Sequence, residues 1–443
     1  MLDAEKTTQS PEEADAVSDL ENKRREIRPA SGEAPFAPYE VFYSRTDHRG
    51  VILSGNYIFK RTSNYAWSEL VGAPHRLIRH EDMPKGVFWL FWDTLKRGEP
   101  IGAYVKNKAK DGLHYWVFSS VIPCEGGYIS ARIKPSSPVF ETIQKEYATL
   151  LRQEANDKLS PEDSAAVLLS RLHDLGFQSY QQFESHALAE ELLSRNSILK
   201  QEKDPGILRF QAMLKLAQNL RCVTEDLVRE FQSVQIIPHN MRVMASRLEP
   251  TGGPFHTLSS NYGAMSSEIS TWFESNVVGE NSIFATISDS VNASMFLQAL
   301  VGILGQCDKQ LQSERRRLGE IDIDAERGFL GRIVKGYSEQ SGEKQALIQD
   351  EAGRIQSACK TMSRHVLGLS TTRVMCKIES ARMGLSGEGL SDIISQLGRF
   401  QEKIGNQLKE IEKMGEEIQE LASMPMEEFR DERRKVDKGE VSG

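Results

Sequence analysis

The sequence predicts an α+β protein, with an antiparallel sheet near the start and a long all-α helical bundle or coiled-coil region after it. Three observations carry this. Residues 42–135 hold five short runs rich in β-branched and aromatic residues. Turn signals break them at Asp47-His48-Arg49-Gly50, Lys110-Asp111-Gly112 and Glu125-Gly126-Gly127. After Pro135 the β signals give way to apolar residues at helical spacing.

The strands are expected over 42–47, 50–56, 102–107, 114–121 and 128–133. Short helical pieces fall between the second and third, one of them over 85–97. A helix over 138–156 leaves the sheet. Ser160-Pro161-Glu162-Asp163 is a helix start: a hydroxyl cap, proline at the first helical position, and acids at the positive end of the dipole. Ser179 caps another helix. From Pro205 a seven-residue repeat appears at Met213, Leu220, Leu227, Val234 and Met241, with Ala217, Phe231 and Ala245 in the second seam. Pro238 should kink or end that helix. Later helices are expected over 255–318, 322–383 and 390–422.

The organisation that follows is a disordered acidic start (1–38), a sensory cup (39–136), a helical connector (137–200), two helical hairpins (201–318 and 319–423) and a charged tail that frays (424–443).

The chain has 443 residues, a net charge of -8 and 39% hydrophobic residues. An acidic balance argues against nucleic-acid binding, which needs a basic face. The longest apolar run, 295–304 with Gln298 inside it, is too short to span a bilayer. No signal-peptide pattern opens the chain, so no transmembrane segment and a cytoplasmic location are expected. Cys124, Cys222, Cys307, Cys359 and Cys376 are scattered without a Cys-x-x-Cys, which suggests neither disulfides nor zinc. No phosphate-binding loop or nucleotide motif is present, and no catalytic turnover is expected.

Several linked stretches occur in order: Thr46-Asp47-His48-Arg49-Gly50, Asn56-Tyr57-Ile58-Phe59, Arg79-His80-Glu81-Asp82-Met83-Pro84, Val105-Lys106-Asn107, and Asp111 followed by Gly112-Leu113-His114-Tyr115-Trp116-Val117. This segment resembles the PAS domain of bacterial aerotaxis receptors. The resemblance implies a redox or oxygen sensor with non-covalent FAD. It implies cofactor-binding roles for Arg79, His80, Asp82, Asn107 and Tyr115, with Trp92 as a pocket wall. Ile101 stands where the family has tryptophan, which leaves haem or no cofactor as alternatives. Arg79 and Asp82 can also be read as a simple ion pair at a helix start. Cys124 lacks the helical setting of a photoactive flavin-adduct cysteine.

The helical half repeats weakly: residues 240–249 pair with 370–379, and 255–263 with 390–398. Ile378-Glu379-Ser380-Ala381-Arg382-Met383-Gly384, then Gly387-Glu388-Gly389, resembles the hairpin tip of methyl-accepting chemotaxis receptors. That resemblance implies a homodimer, with Glu379, Arg382 and Glu388 at a surface for the chemotaxis histidine kinase and its coupling adaptor. Arg373 and Lys377 depart from the family's small or apolar residues. The function expected is PAS-based signal transduction in chemotaxis or aerotaxis. The alternatives are a non-sensing scaffold and a sensor subunit feeding a separate two-component kinase.

Overall fold

The computed structural model describes every residue except 1–26, 235–236, 238, 241, 244–252, 278–281, 316–320, 384–387 and 438–443. Pro238, Met241, Ala245 and most of the first repeat segment therefore lie outside the described residues. The chain separates into two compact units. One comprises the described residues of Met1–Asp204 and Phe296–Gln340; the other comprises those of Pro205–Met295 and Ser341–Gly443.

The first unit is built on five strands: β1 (Val41–Asp47), β2 (Ile52–Gly55), β3 (Ile101–Lys108), β4 (His114–Cys124) and β5 (Gly127–Ile133). They form one antiparallel sheet in the order β2-β1-β5-β4-β3. Between β2 and β3 come α1 (Tyr57–Ser63), α2 (Trp67–Leu70), a 3-10 turn (His75–Ile78) and α3 (Lys85–Lys96). Gly127 turns the β4–β5 hairpin at φ +152, and a Cβ there would stand 2.0 Å from the Thr46 carbonyl oxygen. Only glycine allows that approach.

Asn56 joins α1 to β1. It is fully buried. Its Oδ1 accepts from the Phe59 amide as the N-cap and also from the Tyr43 amide, while Nδ2 donates to the Val41 carbonyl. One side chain thus satisfies both a helix start and two strand groups.

The sheet has no solvent face. Outward residues of β1, β3 and β4 are as buried as inward ones, because helices cover the outer side. These are α4 (Pro138–Asp157) and α6 (Tyr180–Ile198), then α9 (Ile283–Ser313) and α10 (Ile323–Met383) over their parts within Phe296–Gln340, while α5 (Pro161–Asp174) packs on α3, where Ser164 Oγ accepts from the Gly86 amide. Glu184 accepts from the Gly102 amide at 2.7 Å. Glu191 accepts from Ser136 and Ser137 amides and from the Tyr104 hydroxyl. Glu154 accepts from the Lys85 amide.

The start of the chain differs from expectation. Ala34 and Phe36 are buried, Ala34 pairs with the His114 carbonyl, and Phe36 meets Phe42 edge-on at 4.5 Å. Apolar side chains in an otherwise polar lead are enough to anchor it.

The second unit is helical. It holds α7 (Pro205–Val234), α8 (Pro254–Asn276), the remainders of α9 and α10, α11 (Glu388–Ser423) and α12 (Met426–Asp437). The repeat residues Met213, Ala217, Leu220, Leu227 and Phe231 are buried, as are Leu397, Ile404, Leu408, Ile411 and Ile418 on α11. Phe231 packs on Phe273 and Phe400. The tail is not frayed throughout: α12 forms there, its Phe429 is buried, and the neighbouring Met424 carbonyl accepts from Arg209. Glu379 and Arg382 form an i,i+3 pair at the end of α10, with Arg382 exposed. The side chain of Glu388 lies outside the described residues. Helix α9 is long and apolar enough to cross a membrane by length and composition alone, but 67% of its apolar window is buried, as in a core helix.

Replacing Asn56 by alanine should lower unfolding free energy by about 2–4 kcal/mol. About 1 comes from the lost cap, and ~1–3 from strand groups left unpaired. Urea unfolding followed by tryptophan fluorescence measures this, and an unchanged midpoint would contradict it.

Candidate functional site

The inner face of the sheet, the 3-10 turn and α3 enclose a cavity of about 130 Å³. The strand alternation supplies the polar floor. Asn107 comes from β3, Ser119 from β4, and Ser130 and Arg132 from β5, all buried. Helix α3 supplies Phe88, Phe91 and Trp92 at helical spacing, and Tyr128 closes the wall edge-on to Trp92 at 5.7 Å. Below them Leu95, Ile101 and Val121 form a packed apolar layer. Ile101 is fully buried, and Phe91, Trp92, Tyr128 and Tyr180 pack against this layer.

Arg132 dominates the electrostatics. It is 3% exposed, and no ion pair to it forms among the described residues. Nη2 donates to Ser44 Oγ at 3.0 Å and lies 2.6 Å from His75 Nε2. A guanidinium only donates, so Nε2 is the acceptor and the imidazole proton sits on Nδ1. The second terminal nitrogen, Nη1, is buried with no partner among the described residues. Burial pushes the Arg132 pKa down to about 10. Burial, and next the adjacent Arg132 cation, push His75 down to about 3, so its ring is neutral. Phe59 of α1 backs the pair: its ring stacks on His75, and Arg132 lies over it at 5.7 Å.

Of the residues singled out from sequence, Arg79, Trp92 and Asn107 line this cavity together. Arg79 lies over the Phe88 ring at 3.8 Å, and its backbone bridges to Asn107. His80 and Asp82 do not line it. His80 is on an outer groove that shares Arg76 and Arg79 with the cavity and also carries Lys85. Its Nδ1 accepts from the Asp82 amide. Burial is the main cause holding its pKa below the ordinary value, with Lys106 adding to it. Asp82 pairs with Lys106 at 2.8 Å rather than with Arg79, and that bond is the main cause lowering its pKa. Tyr115, cross-strand from Asn107, is fully buried and stacks on Phe42 at 5.6 Å. Its hydroxyl has no partner among the described residues, and burial raises its pKa. It stands outside the cavity lining. Arg132 and His75 were missed from sequence, although Tyr128, Ser130 and Arg132 alternate through β5 on one face.

Residues 52–127 match the family model for the PAS fold. The chain is 39% identical over 121 residues to the aerotaxis receptor of Escherichia coli K12, a match covering 26% of this chain and 24% of that receptor. The chain thus spans about a quarter of the length of the curated relative it matches. Among solved structures it is similar to the LOV domain from the Erythrobacter litoralis EL346 blue-light activated histidine kinase (16% identity, 22% of this chain, 94% of that one, TM-score 0.20). It is also similar to the light state of the blue-light photoreceptor Aureochrome1 LOV (20% identity, 26% and 90%, TM-score 0.20). Fold, motif order and identity agree that this chain carries a PAS domain.

A neutral His75 carries a pH signature. Its folded pKa is depressed, so the unfolded chain binds more protons between about pH 3 and 6.5. Stability is therefore lost as pH falls through that window, by up to about 1.4 kcal/mol per pH unit. In His75→Gln this share of the acid slope should vanish. Denaturation midpoints from pH 4 to 7 measure it, and parallel slopes would contradict it.

Proposed function

We propose that this chain is a PAS-containing signal transducer whose cup binds FAD non-covalently and reports redox state or oxygen to the helical half. The observation that carries the reading is Arg132, which lines the aromatic-walled cavity and whose Nη1 has no partner among the described residues. A buried cation without a carboxylate is costly, and an electron-rich, hydrogen-bond-accepting ring relieves it. Phe88, Phe91, Trp92 and Tyr128 offer flat contacts for such a ring, and Asn107, Ser119 and Ser130 offer polar partners. Arg76, Arg79 and Lys85 on the adjoining groove suit a diphosphate. When bound, a flavin supplies electron uptake with a change in ring charge. Arg132 would favour the more negative form, and Asn107 would read its hydrogen-bonding edge. The likeness to an aerotaxis receptor supports the same assignment.

The cavity volume of about 130 Å³ is below the ~300–1,000 Å³ usual for ligand pockets. Ring entry therefore requires the cavity to widen. The same volume favours a second reading, a PAS module that senses nothing and serves as a scaffold.

A visible spectrum of the purified full chain, before and after dithionite, separates them. The first reading expects flavin bands that bleach on reduction. A featureless spectrum after incubation with FAD would overturn it, and a Soret band would indicate haem. Arg79→Ala and Asn107→Ala should each weaken flavin retention about tenfold, one charge-assisted or buried hydrogen bond's worth. Retention equal to the parent in both would contradict the site.

A further inference from the structure

The helices that cover β1 and the start of α1 are held by two carboxylates far away in sequence. Glu326 Oε2 accepts from the Tyr43 hydroxyl at 2.5 Å, and Glu326 pairs with Arg45 at 2.7 Å. Glu314, 4% exposed, accepts from the Tyr57 amide at 2.6 Å, and Asn56 Nδ2 approaches its other oxygen at 3.4 Å. Glu314 thus acts as an N-terminal cap of α1 supplied from the end of α9. On the same α9, the buried Cys307 thiol lies against the Phe42 carbonyl of β1.

We propose that Glu314 is a proton-operated latch: protonated, it keeps the α9–α10 pair docked on the sheet, and ionised, it lets the pair release. The geometry explains why. The donors facing the carboxylate are the Tyr57 and Ile58 amides, Asn56, and Gln310 from its own helix. No cation pairs with it among the described residues. Arg315 pairs with Asp324, Arg327 with Asp308, Arg45 with Glu326, and Arg61 with Glu40. Glu40 itself adds repulsion. Among the described residues, an ionised Glu314 is then a buried anion held by neutral groups, which is unfavourable. Desolvation, first among the causes, pushes its pKa up to about 7. A raised carboxyl pKa means that docking is strongest below about pH 4.5 and weakens as pH rises through about 7. The Tyr57 amide opens the same helix whose Phe59 backs the Arg132–His75 pair, so the latch bears on the helix behind the cavity. This inference does not depend on which ligand the cavity takes.

Cys307 reports the state of the latch. The full chain is treated with a maleimide between pH 6 and 8.5. Labelling of Cys307 is read by peptide mass spectrometry relative to the exposed Cys222, which corrects for thiolate fraction. The latch predicts that relative labelling of Cys307 rises about tenfold over this range. In Glu314→Gln, which keeps the size and a carbonyl acceptor, the rise should be absent and Cys307 should stay protected at pH 8.5. Glu314→Ala should label readily at every pH. A rise in Glu314→Gln equal to the parent's, or a parent that shows no rise, would overturn the proposal.

Discussion

A guanidinium enclosed without a carboxylate is the constraint around which the PAS domain is arranged. Desolvating one such charge costs several kcal/mol. The domain offsets part of this with neutral groups: Ser44 and His75 accept from Nη2, and the Phe59 ring lies beneath. The bargain forces His75 to stay unprotonated. It also leaves Nη1 with no partner among the described residues, in a side chain that lines the aromatic-walled cavity. Ile101 does not stand between the cavity and the cation, because it belongs to the packed layer under Trp92 and Tyr128.

The outer face follows a different rule. Carboxylates take the place of solvent there. Glu184 and Glu191 of α6, Glu314 at the end of α9 and Glu326 of α10 each end on a donor of the sheet, of α1 or of the segment leaving β5. An antiparallel sheet can leave one face to water; this one is covered on both. Helices α9 and α10 each run on past the first unit's limits in sequence, so a change at Glu314 or Glu326 falls on helices shared with the helical half.

Much of this was legible in the sequence. The five strands, the turn glycines and the helix starts at Ser160 and Ser179 follow from local chemistry, and the Ser160 and Ser179 side chains cap as expected. The seven-residue repeat marked the buried stripe of α7 because core burial imposes that period. Arg132 was not legible, since a lone arginine near the end of a strand usually points outward; only the alternation of β5 places it inward. The Glu314 and Glu326 contacts were hidden for another reason. They join residues 257 and 283 positions apart, and no local pattern encodes that pairing. Asp82 was read beside Arg79 by proximity in sequence, but the β3 lysine Lys106 takes it instead.

The most direct test of the central claim is equilibrium titration of the full chain with FAD, comparing the parent with Arg132→Met. Methionine keeps the volume apolar and removes the unpartnered donor. The account predicts binding by the parent and at least about tenfold weaker binding by the variant, the loss of one charge-assisted hydrogen bond. Equal affinity in the two proteins would contradict it, because the cavity would then owe nothing to the cation that shapes it.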